Sequence, residues 1–197
     1  MFALAAILNV EMYQMDIKGT YLNGKLEEDL YMRQPEGFGD GSDYVCKLRH
    51  TLYGLKQSGR EWNKAITSLL ISKKFIQAAY DPCVYYRWNG NEFDMLGLWV
   101  DDFDGLTSNW ARVEIVLSEI CSQYTVTFYK EPKLLLGIEI HRDRALHSIT
   151  ITLGQYIQKI LQRFRMENCN PARTPFPPNT LLEPATENNL FVDITQY

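Results

Sequence analysis

The stretch 96–105, LGLWVDDFDG, decides the fold prediction because an apolar run ends there in Asp101 and Asp102, with Asp104 two residues on. Residues 93–100 before the pair and 103–107 after it have the composition of β-strands. The two aspartates are therefore predicted at the tight bend of a β-hairpin. Carboxylates beside a buried strand need a compensating partner, and a divalent cation such as Mg²⁺ prefers these oxygen ligands. Solvated acids at an ordinary turn are the alternative interpretation.

The composition is that of a soluble globular protein, with 46% hydrophobic and 22% charged residues in a chain of 197. A net charge of −4 argues against a protein that holds nucleic acid by charge alone, although basic residues cluster within 47–64 and 159–165. The apolar first ten residues lack a basic region, so no targeting or membrane segment is expected. Four cysteines lie far apart: Cys46, Cys83, Cys121 and Cys169. Their spacing predicts neither a zinc site nor a disulfide framework and is typical of a reduced, intracellular setting.

Hydrophobic periodicity and turn signals predict a chain of alternating helices and strands. Helices are predicted at 2–12, 60–75, 110–123 and 155–164, with Asn109 capping the third. Strands are predicted at 14–22, 29–38, 44–48, 83–88, 93–100, 103–107, 133–142 and 148–152, and the strand 93–100 is expected to be buried on both faces. Most strands are joined by hairpins, so we predict an α+β fold with an antiparallel sheet. The proline-containing segment from Asn168 onwards is expected to be an extended arm.

A further acid, Asp16, lies in the predicted strand 14–22, well before the hairpin in the chain. If the two strands are neighbours in one antiparallel sheet, Asp16, Asp101 and Asp102 come together. Two cations held by such acids activate an attacking hydroxyl and stabilise the leaving oxygen in phosphoryl transfer. These three aspartates are therefore the candidate catalytic and metal-binding residues, with Mg²⁺ as the expected cofactor and Mn²⁺ as the alternative.

Six blocks of sequence carry a family resemblance over nearly the whole chain. They are QMDIKGTYLNGKLEEDLYMRQPEGF (14–38), VCKLRHTLYGLKQSGREWNK (45–64), DPCVYYR (81–87), LGLWVDDFDG (96–105), LLGIEI (135–140) and YIQKILQRFRMENCNPARTP (156–175). In this order they resemble the reverse transcriptase of copia-type LTR retrotransposons. The resemblance implies a polymerase palm, an antiparallel sheet covered by helices, with partial fingers in residues 1–152. It further implies the start of a thumb region and a proline-rich extended tail in residues 153–197.

The resemblance also implies roles for individual residues. The three aspartates match the metal-binding acids of the family, and Tyr21 matches the aromatic residue that lies under the nucleotide sugar and excludes a ribose 2′-hydroxyl. Gln57 and Arg60 match a block whose neighbourhood contacts the incoming nucleotide and the template. The alternative interpretations are a core position for Tyr21 and surface positions at a helix start for Gln57 and Arg60. Trp62 is expected to pack in the core rather than stack on a base.

Several features depart from the family pattern. Trp99 stands where the family has tyrosine, and its larger indole is expected to crowd the primer end. Gly19 is expected to loosen the strand that holds Asp16. The chain begins with the helix just before Asp16 and ends before the rest of the thumb and the ribonuclease H domain of a complete polyprotein. Because positioning supplies most of the catalysis in phosphoryl transfer, this chain alone is expected to be slow or inactive.

The function implied by the resemblance is RNA-directed DNA polymerase activity, the template-directed transfer of nucleotides to a primer. Its partners would be an RNA or DNA template with its primer, deoxynucleoside triphosphates, and the remainder of a Pol polyprotein. Its expected location is intracellular, in a cytoplasmic particle or the nucleus. The main alternative is a decayed or co-opted remnant that binds nucleic acid or protein without catalysis. An unrelated acid-cluster nuclease is disfavoured by the order of the motifs.

Overall fold

The structure, a computed structural model, describes residues 1–176 and divides the chain into two compact units, Met1–Gly154 and the part that begins at Gln155. The helices are α1 (Phe2–Leu8), α2 (Ser58–Ser72), α3 (Trp110–Cys121) and α4 (Gly154–Arg163), with a short 3₁₀ helix at Thr20–Asn23. The strands are β1 (Glu11–Ile17), β2 (Tyr31–Arg33), β3 (Val45–Lys47), β4 (Ile76–Gln77), β5 (Val84–Asn89), β6 (Glu92–Trp99), β7 (Asp102–Thr107), β8 (Val126–Lys130), β9 (Leu134–Leu135), β10 (Ile138–Asp143) and β11 (Ser148–Thr152). All strand pairs are antiparallel, which confirms the predicted mixed fold with antiparallel sheets.

The first unit is organised around a six-stranded sheet of order β4-β5-β6-β7-β1-β8. Alternate residues of its central strands face one side, where they join the apolar faces of α2 and α3 in the main core. The core residues are Tyr13, Met15 and Ile17 of β1, Tyr85 of β5, Leu96 and Leu98 of β6, Phe103 of β7, Trp62, Ile66, Leu69 and Leu70 of α2, Phe75 after α2, and Val113, Val116 and Ile120 of α3. The helices thus cover one face of the sheet and leave the intervening residues to the other.

The second face of the sheet is apolar at one end only. There Met12 and Leu106 form a smaller core with Ala5 of α1 and with Val10. Towards the other end, the same face carries the polar residues that follow Met12 at period 2 along β1, Gln14 and Asp16. The smaller sheets have the orders β11-β10-β9 and β2-β3.

Five sequence predictions about the elements are wrong, four in extent and one in burial. The strand predicted at 29–38 is only Tyr31–Arg33, and the strand predicted at 133–142 is broken into β9 and β10. The first helix does not reach Met12: it ends at Leu8, because Asn9 adopts the left-handed conformation (φ 51°) that terminates helices. The strand predicted at 14–22 ends at Ile17, and the chain then turns at Gly19 (φ 62°) into the 3₁₀ helix. Strand β6 is not buried on both faces, since only alternate residues are buried and Trp99 is 61% exposed.

A buried ion network, which the sequence did not reveal, ties α3 to the sheet. Asp94 of β6 is fully buried and accepts hydrogen bonds from Arg87 Nε (2.7 Å), Thr107 Oγ1 (2.8 Å) and the guanidinium of Arg112. Arg87 also forms an ion pair with Glu119 of α3 (2.8 Å). Because a buried carboxylate is tolerated only when it is paired and hydrogen-bonded, the network fixes which face of α3 meets the sheet.

In the second unit, α4 is followed by a turn closed by hydrogen bonds from Arg165 N to Gln162 O and from Met166 N to Leu161 O. Residues 171–176 form neither helix nor strand. The rest of the predicted proline-rich arm, residues 177–197, lies outside the described part of the chain. Among residues 1–176, no helix has both the length and the apolar character needed to cross a bilayer.

Candidate functional site

The pairing of β1 with β7 brings together acids that are far apart in the sequence. Asp16 is aligned with Asp102 in the antiparallel register, and side chains at aligned positions leave the same face with Cβ atoms about 4.5–5.5 Å apart. Asp101 is the residue before β7, in the turn that links it to β6. The predicted hairpin with the acids at its bend is therefore confirmed, and Asp16 lies on the strand next to it.

The turn between β6 and β7 consists of Val100 and Asp101, flanked by the aligned pair Trp99 and Asp102. Val100 adopts a positive φ of 57°, which is unusual for a β-branched residue. Both carbonyl groups of the turn accept hydrogen bonds: Ile17 N donates to Asp101 O (3.0 Å), and Trp62 Nε1 donates to Val100 O (2.6 Å). The turn is thus held by β1 on one side and by α2 on the other.

The electrostatics of this face are those of carboxylates crowded together. The pKa of Asp102 is raised by burial and by the negative charges of Asp101 and Asp16, while a hydrogen bond from Gln14 Nε2 (3.3 Å) opposes the shift. The pKa of Asp104 is raised to about 7 by burial and by the charge of Asp102. Within the described residues, none of these carboxylates forms an ion pair with a lysine or arginine. The like charges therefore lack a cationic counterpart.

The donor set fits a hard divalent cation. Carboxylate oxygens are the ligands that Mg²⁺ takes in proteins, usually one or two carboxylates with water and phosphate oxygens completing the octahedron. The aligned pair Asp16 and Asp102, with Asp101 adjacent, offers such oxygens next to one another. Across residues 1–176, no three side chains of His, Cys, Asp or Glu are already arranged as a metal-binding group. The three-aspartate ligand set therefore remains a prediction.

A cleft of about 580 Å³ opens over the aligned aspartates. Gln14, Asp16 and Asp102 line it from the sheet, and residues 129–134 with Leu136 form its wall. This wall includes Lys130, Glu131 and Lys133, so two cationic residues and one further acid border the acidic floor. A cleft that combines carboxylates with lysines suits a substrate that carries phosphates and is held through cations.

Tyr21 lies near the turn formed by Val100 and Asp101, the acidic turn. It belongs to the 3₁₀ helix that begins after Gly19, its ring contacts that of Tyr53 (centroids 4.9 Å apart), and it is partly buried. Tyr21 also lines a cavity of about 270 Å³ together with Trp99 and Val100. The expectation that Gly19 loosens the strand holding Asp16 is wrong, because β1 ends at Ile17, before this residue, and the left-handed φ of 62° there favours glycine.

Gln57 and Arg60 lie at the start of α2, where both bind acids of the chain itself. Gln57 Nε2 donates to Glu28 Oε2 (3.3 Å), and Arg60 donates to Glu28 Oε1 (3.2 Å) and to Glu61 Oε1 (2.8 Å). Both side chains are at the surface. The structure thus places Asp16 and Asp102 on one face beside Asp101. Tyr21 lines a separate cavity with Trp99 and Val100, and Gln57 and Arg60 lie in an exposed network.

Two residues of the site were missed in the sequence. Gln14, which hydrogen-bonds Asp102, precedes Asp16 by two positions, so the period of a strand was a signal for a shared face. Trp62 was expected only to pack. It is indeed 2% exposed and in the main core, but its indole N–H reaches the acidic turn, and no sequence signal marks this contact.

Comparisons with known proteins agree with the motif resemblance. Residues 1–178 match the family described as reverse transcriptase (RNA-dependent DNA polymerase). The retrovirus-related Pol polyprotein from transposon TNT 1-94 of Nicotiana tabacum is 35% identical over 88% of this chain, and that from transposon RE1 of Arabidopsis thaliana is 31% identical over 93%. The chain spans only 13% and 12% of these two relatives.

Two further matches are more distant. A putative transposon Ty5-1 protein of Saccharomyces cerevisiae is 28% identical over 93% of this chain and 59% of its own length. Among solved structures, apo telomerase from Candida tropicalis, truncated from its C-terminal domain, has a TM-score of 0.41 and 15% identity. That match covers 76% of this chain and 38% of the telomerase.

Proposed function

Because this chain belongs to the reverse transcriptase (RNA-dependent DNA polymerase) family, in the copia-type group of transposon Pol polyproteins, we propose that it supplies the catalytic part of a template-directed DNA polymerase. The reaction is the addition of deoxynucleotides to a primer 3′-hydroxyl on an RNA or DNA template. In this proposal residues 1–152 are the palm with partial fingers, and residues 153–197 begin the thumb.

One observation carries the proposal: Asp16 is aligned with Asp102, directly beside the turn that carries Asp101. A structural role alone does not account for this arrangement, because like charges on aligned residues are destabilising. Gln14 gives Asp102 one hydrogen bond, but no lysine or arginine of the described residues forms an ion pair with these acids. A cation from outside, which the oxygen donors fit, would offset their repulsion. The arrangement is therefore expected of residues selected to hold metal ions.

In the mechanism, the carboxylates of Asp16 and Asp101 would hold the cations and Asp102 would assist. When bound, Mg²⁺ lowers the pKa of an attacking hydroxyl and stabilises a leaving oxygen. The chain itself orients the acids, because both carbonyl groups of the turn are hydrogen-bonded. Positioning of this kind supplies much of the rate in phosphoryl transfer.

The nucleotide-binding residues complete the proposal. Tyr21 would lie under the sugar and exclude a ribose 2′-hydroxyl; the cavity that it shares with Trp99 and Val100 of the turn supports this role. Gln57 and Arg60 would contact nucleotide and template only after releasing Glu28, with which both now interact. These contacts therefore require a rearrangement of the exposed ion network at the start of α2.

The test is extension of a DNA primer on a homopolymeric RNA template by the purified chain, with Mg²⁺ and with Mn²⁺. We expect slow, cation-dependent extension that Asp101→Asn abolishes. The matched control is Asp43→Asn, which removes one carboxylate from an exposed loop and should leave extension unchanged. Extension that survives Asp101→Asn would refute the assignment of the acidic turn.

A second candidate function is that of a binding module without catalysis. It is favoured by the observation that, in residues 1–176, no three ligand side chains are already arranged around a metal position. A binding module binds RNA equally well with and without Mg²⁺, whereas a working polymerase site needs the cation to bind a nucleotide. Titration of RNA and of a deoxynucleoside triphosphate in both conditions separates the two.

The proposed partners and location follow the polyprotein relatives. The chain would act with template, primer and deoxynucleoside triphosphates and with the remainder of a Pol polyprotein. Its proposed location is intracellular, in a cytoplasmic particle or the nucleus. Detection of the tagged polyprotein in fractionated cells tests this placement.

A further inference from the structure

We propose that Trp62 is a positioning residue for the acidic turn: its indole N–H holds Val100 in the left-handed conformation and so fixes the place of Asp101. The inference rests on the proposed function, since it concerns the same aspartates. It assigns to α2 a role in the site that packing alone does not give it.

The donor of this hydrogen bond is itself rigidly held. Trp62 is 2% exposed, belongs to the main core and meets the ring of Tyr124 edge-on with centroids 5.2 Å apart. Its Nε1 lies 2.6 Å from Val100 O. A side chain immobilised in this way gives the turn a fixed point of attachment on α2, across the sheet face that carries the core.

The acceptor needs such an attachment. A β-branched residue rarely adopts a positive φ, and such strain persists only where the surroundings over-determine it. The side chain of Val100 is 42% exposed, so side-chain burial contributes little to holding the turn. The turn is therefore held mainly by hydrogen bonds to its main chain. The hydrogen bond that Val100 O accepts is donated by Trp62 Nε1.

The consequence reaches Asp101 because the next peptide is tethered from the other side. Asp101 O accepts from Ile17 N of β1 (3.0 Å), one residue after Asp16. The Val100–Asp101 unit is thus suspended between α2 and β1. Without the attachment on α2, Val100 is free to relax to a negative φ, which turns the peptide that carries Asp101 away from its place beside Asp16 and Asp102.

The primary experiment compares Trp62→Phe with Trp110→Phe in the full chain. Both changes keep an aromatic ring at a position that packs against the main core, but only the first removes the hydrogen bond to the turn. Mn²⁺ affinity is measured by electron paramagnetic resonance of the free ion, without nucleotide, and folding by thermal unfolding. Loss of a residue that orients metal ligands typically lowers metal affinity 10- to 100-fold. We expect about a tenfold loss for Trp62→Phe and less than about a twofold change for Trp110→Phe.

A rescue variant separates positioning from packing. Asparagine tolerates the left-handed conformation far better than valine, so Val100→Asn in the Trp62→Phe background should restore most of the lost Mn²⁺ affinity. A purely structural role of Trp62 predicts no such restoration. Equal loss in the two tryptophan variants, or failure of Val100→Asn to restore affinity, overturns the inference.

A second measurement needs neither catalysis nor metal binding. Hydrogen exchange of the segment 96–105 should be about tenfold faster in Trp62→Phe than in the wild type, and unchanged in Trp110→Phe. Unchanged hydrogen exchange of this segment in Trp62→Phe overturns the positioning role of Trp62, even if the wild type extends primers. Conversely, primer extension that survives Asp101→Asn, with exchange behaving as expected, refutes the proposed function and leaves the positioning role intact. If Trp62→Phe does not fold, slow exchange of the Trp62 indole N–H in the wild type, measured against the exposed Trp88, decides the matter; equally fast exchange overturns the inference.

Discussion

Replacement of Gly105 by alanine is expected to destabilise the protein by about 2 kcal/mol, although alanine is ordinarily better tolerated in a strand. Gly105 lies in the central strand β7, aligned with Tyr13 of β1. The Tyr13 ring lies directly over the glycine, so a Cβ added there would be 2.0 Å from Cζ and 2.3 Å from both Cε atoms. The glycine therefore makes room for a ring, and its own φ is not in the left-handed region.

The magnitude follows from how far the ring must move. An ordinary contact begins at 3.4 Å, so Tyr13 has to retreat by more than an ångström. The ring is 1% exposed in the main core, 6.0 Å from the Phe128 ring, and a close-packed interior gives way only with strain. Overpacking of this kind costs about 3 kcal/mol at the upper end of its usual range. The lower entropy of the unfolded alanine chain offsets about 0.5–1 kcal/mol.

Urea unfolding followed by circular dichroism measures the difference in the free energy of unfolding. The matched control is Gly97→Ala on the neighbouring strand, where the added Cβ meets only the flexible end of the Met1 side chain (2.7 Å) and should change stability by less than about 1 kcal/mol. In a Tyr13→Leu background, Gly105→Ala should no longer destabilise. Equal losses from Gly105→Ala with and without the Tyr13 ring would refute the steric argument.

Two further predictions concern buried polar groups. Tyr13→Phe should stabilise the protein by about 1 kcal/mol, because the hydroxyl is buried without a hydrogen-bond partner in the described part of the chain. A loss of stability in urea unfolding would show that the hydroxyl does form a hydrogen bond. Arg112→Met should lower the free energy of unfolding by about 3 kcal/mol, because Asp94 would keep only Arg87 and Thr107 as hydrogen-bond donors. The matched change at an exposed arginine, Arg60→Met, should leave the unfolding midpoint nearly unchanged. Similar effects of the two changes would contradict the stabilising role of the network.

Much of the local structure was predictable from short-range signals. The helix cap at Asn109 is confirmed, since its Oδ1 accepts from Arg112 N (3.1 Å), and so is the hairpin that carries the acidic turn. These features depend on a few adjacent residues, whose turn and capping chemistry is written in the sequence. The first helix was predicted too long because a left-handed Asn9 and the pairing of Glu11 and Met12 with β7 override the apolar periodicity.

The candidate site also combines features that the sequence predicted with one that depends on the tertiary structure. The order of the motifs identified the family, the acidic turn and the aspartates, because these depend on residue types and their spacing along the chain. The alignment of Asp16 with Asp102 was an expectation that only the register of β1 against β7 could decide. That register is set by long-range pairing and by the packing of Tyr13 over Gly105.

The sequence by itself determined the residues available for chemistry: the motif order, the composition and the local turn signals. Only the tertiary structure decided which of them meet. It joined Trp62 to Val100, 38 positions apart, and assembled the network around Asp94 from β5, β6, β7 and α3. The physical reason is that such contacts arise from strand register and helix packing. These are properties of the whole core and cannot be predicted from any short segment of the sequence.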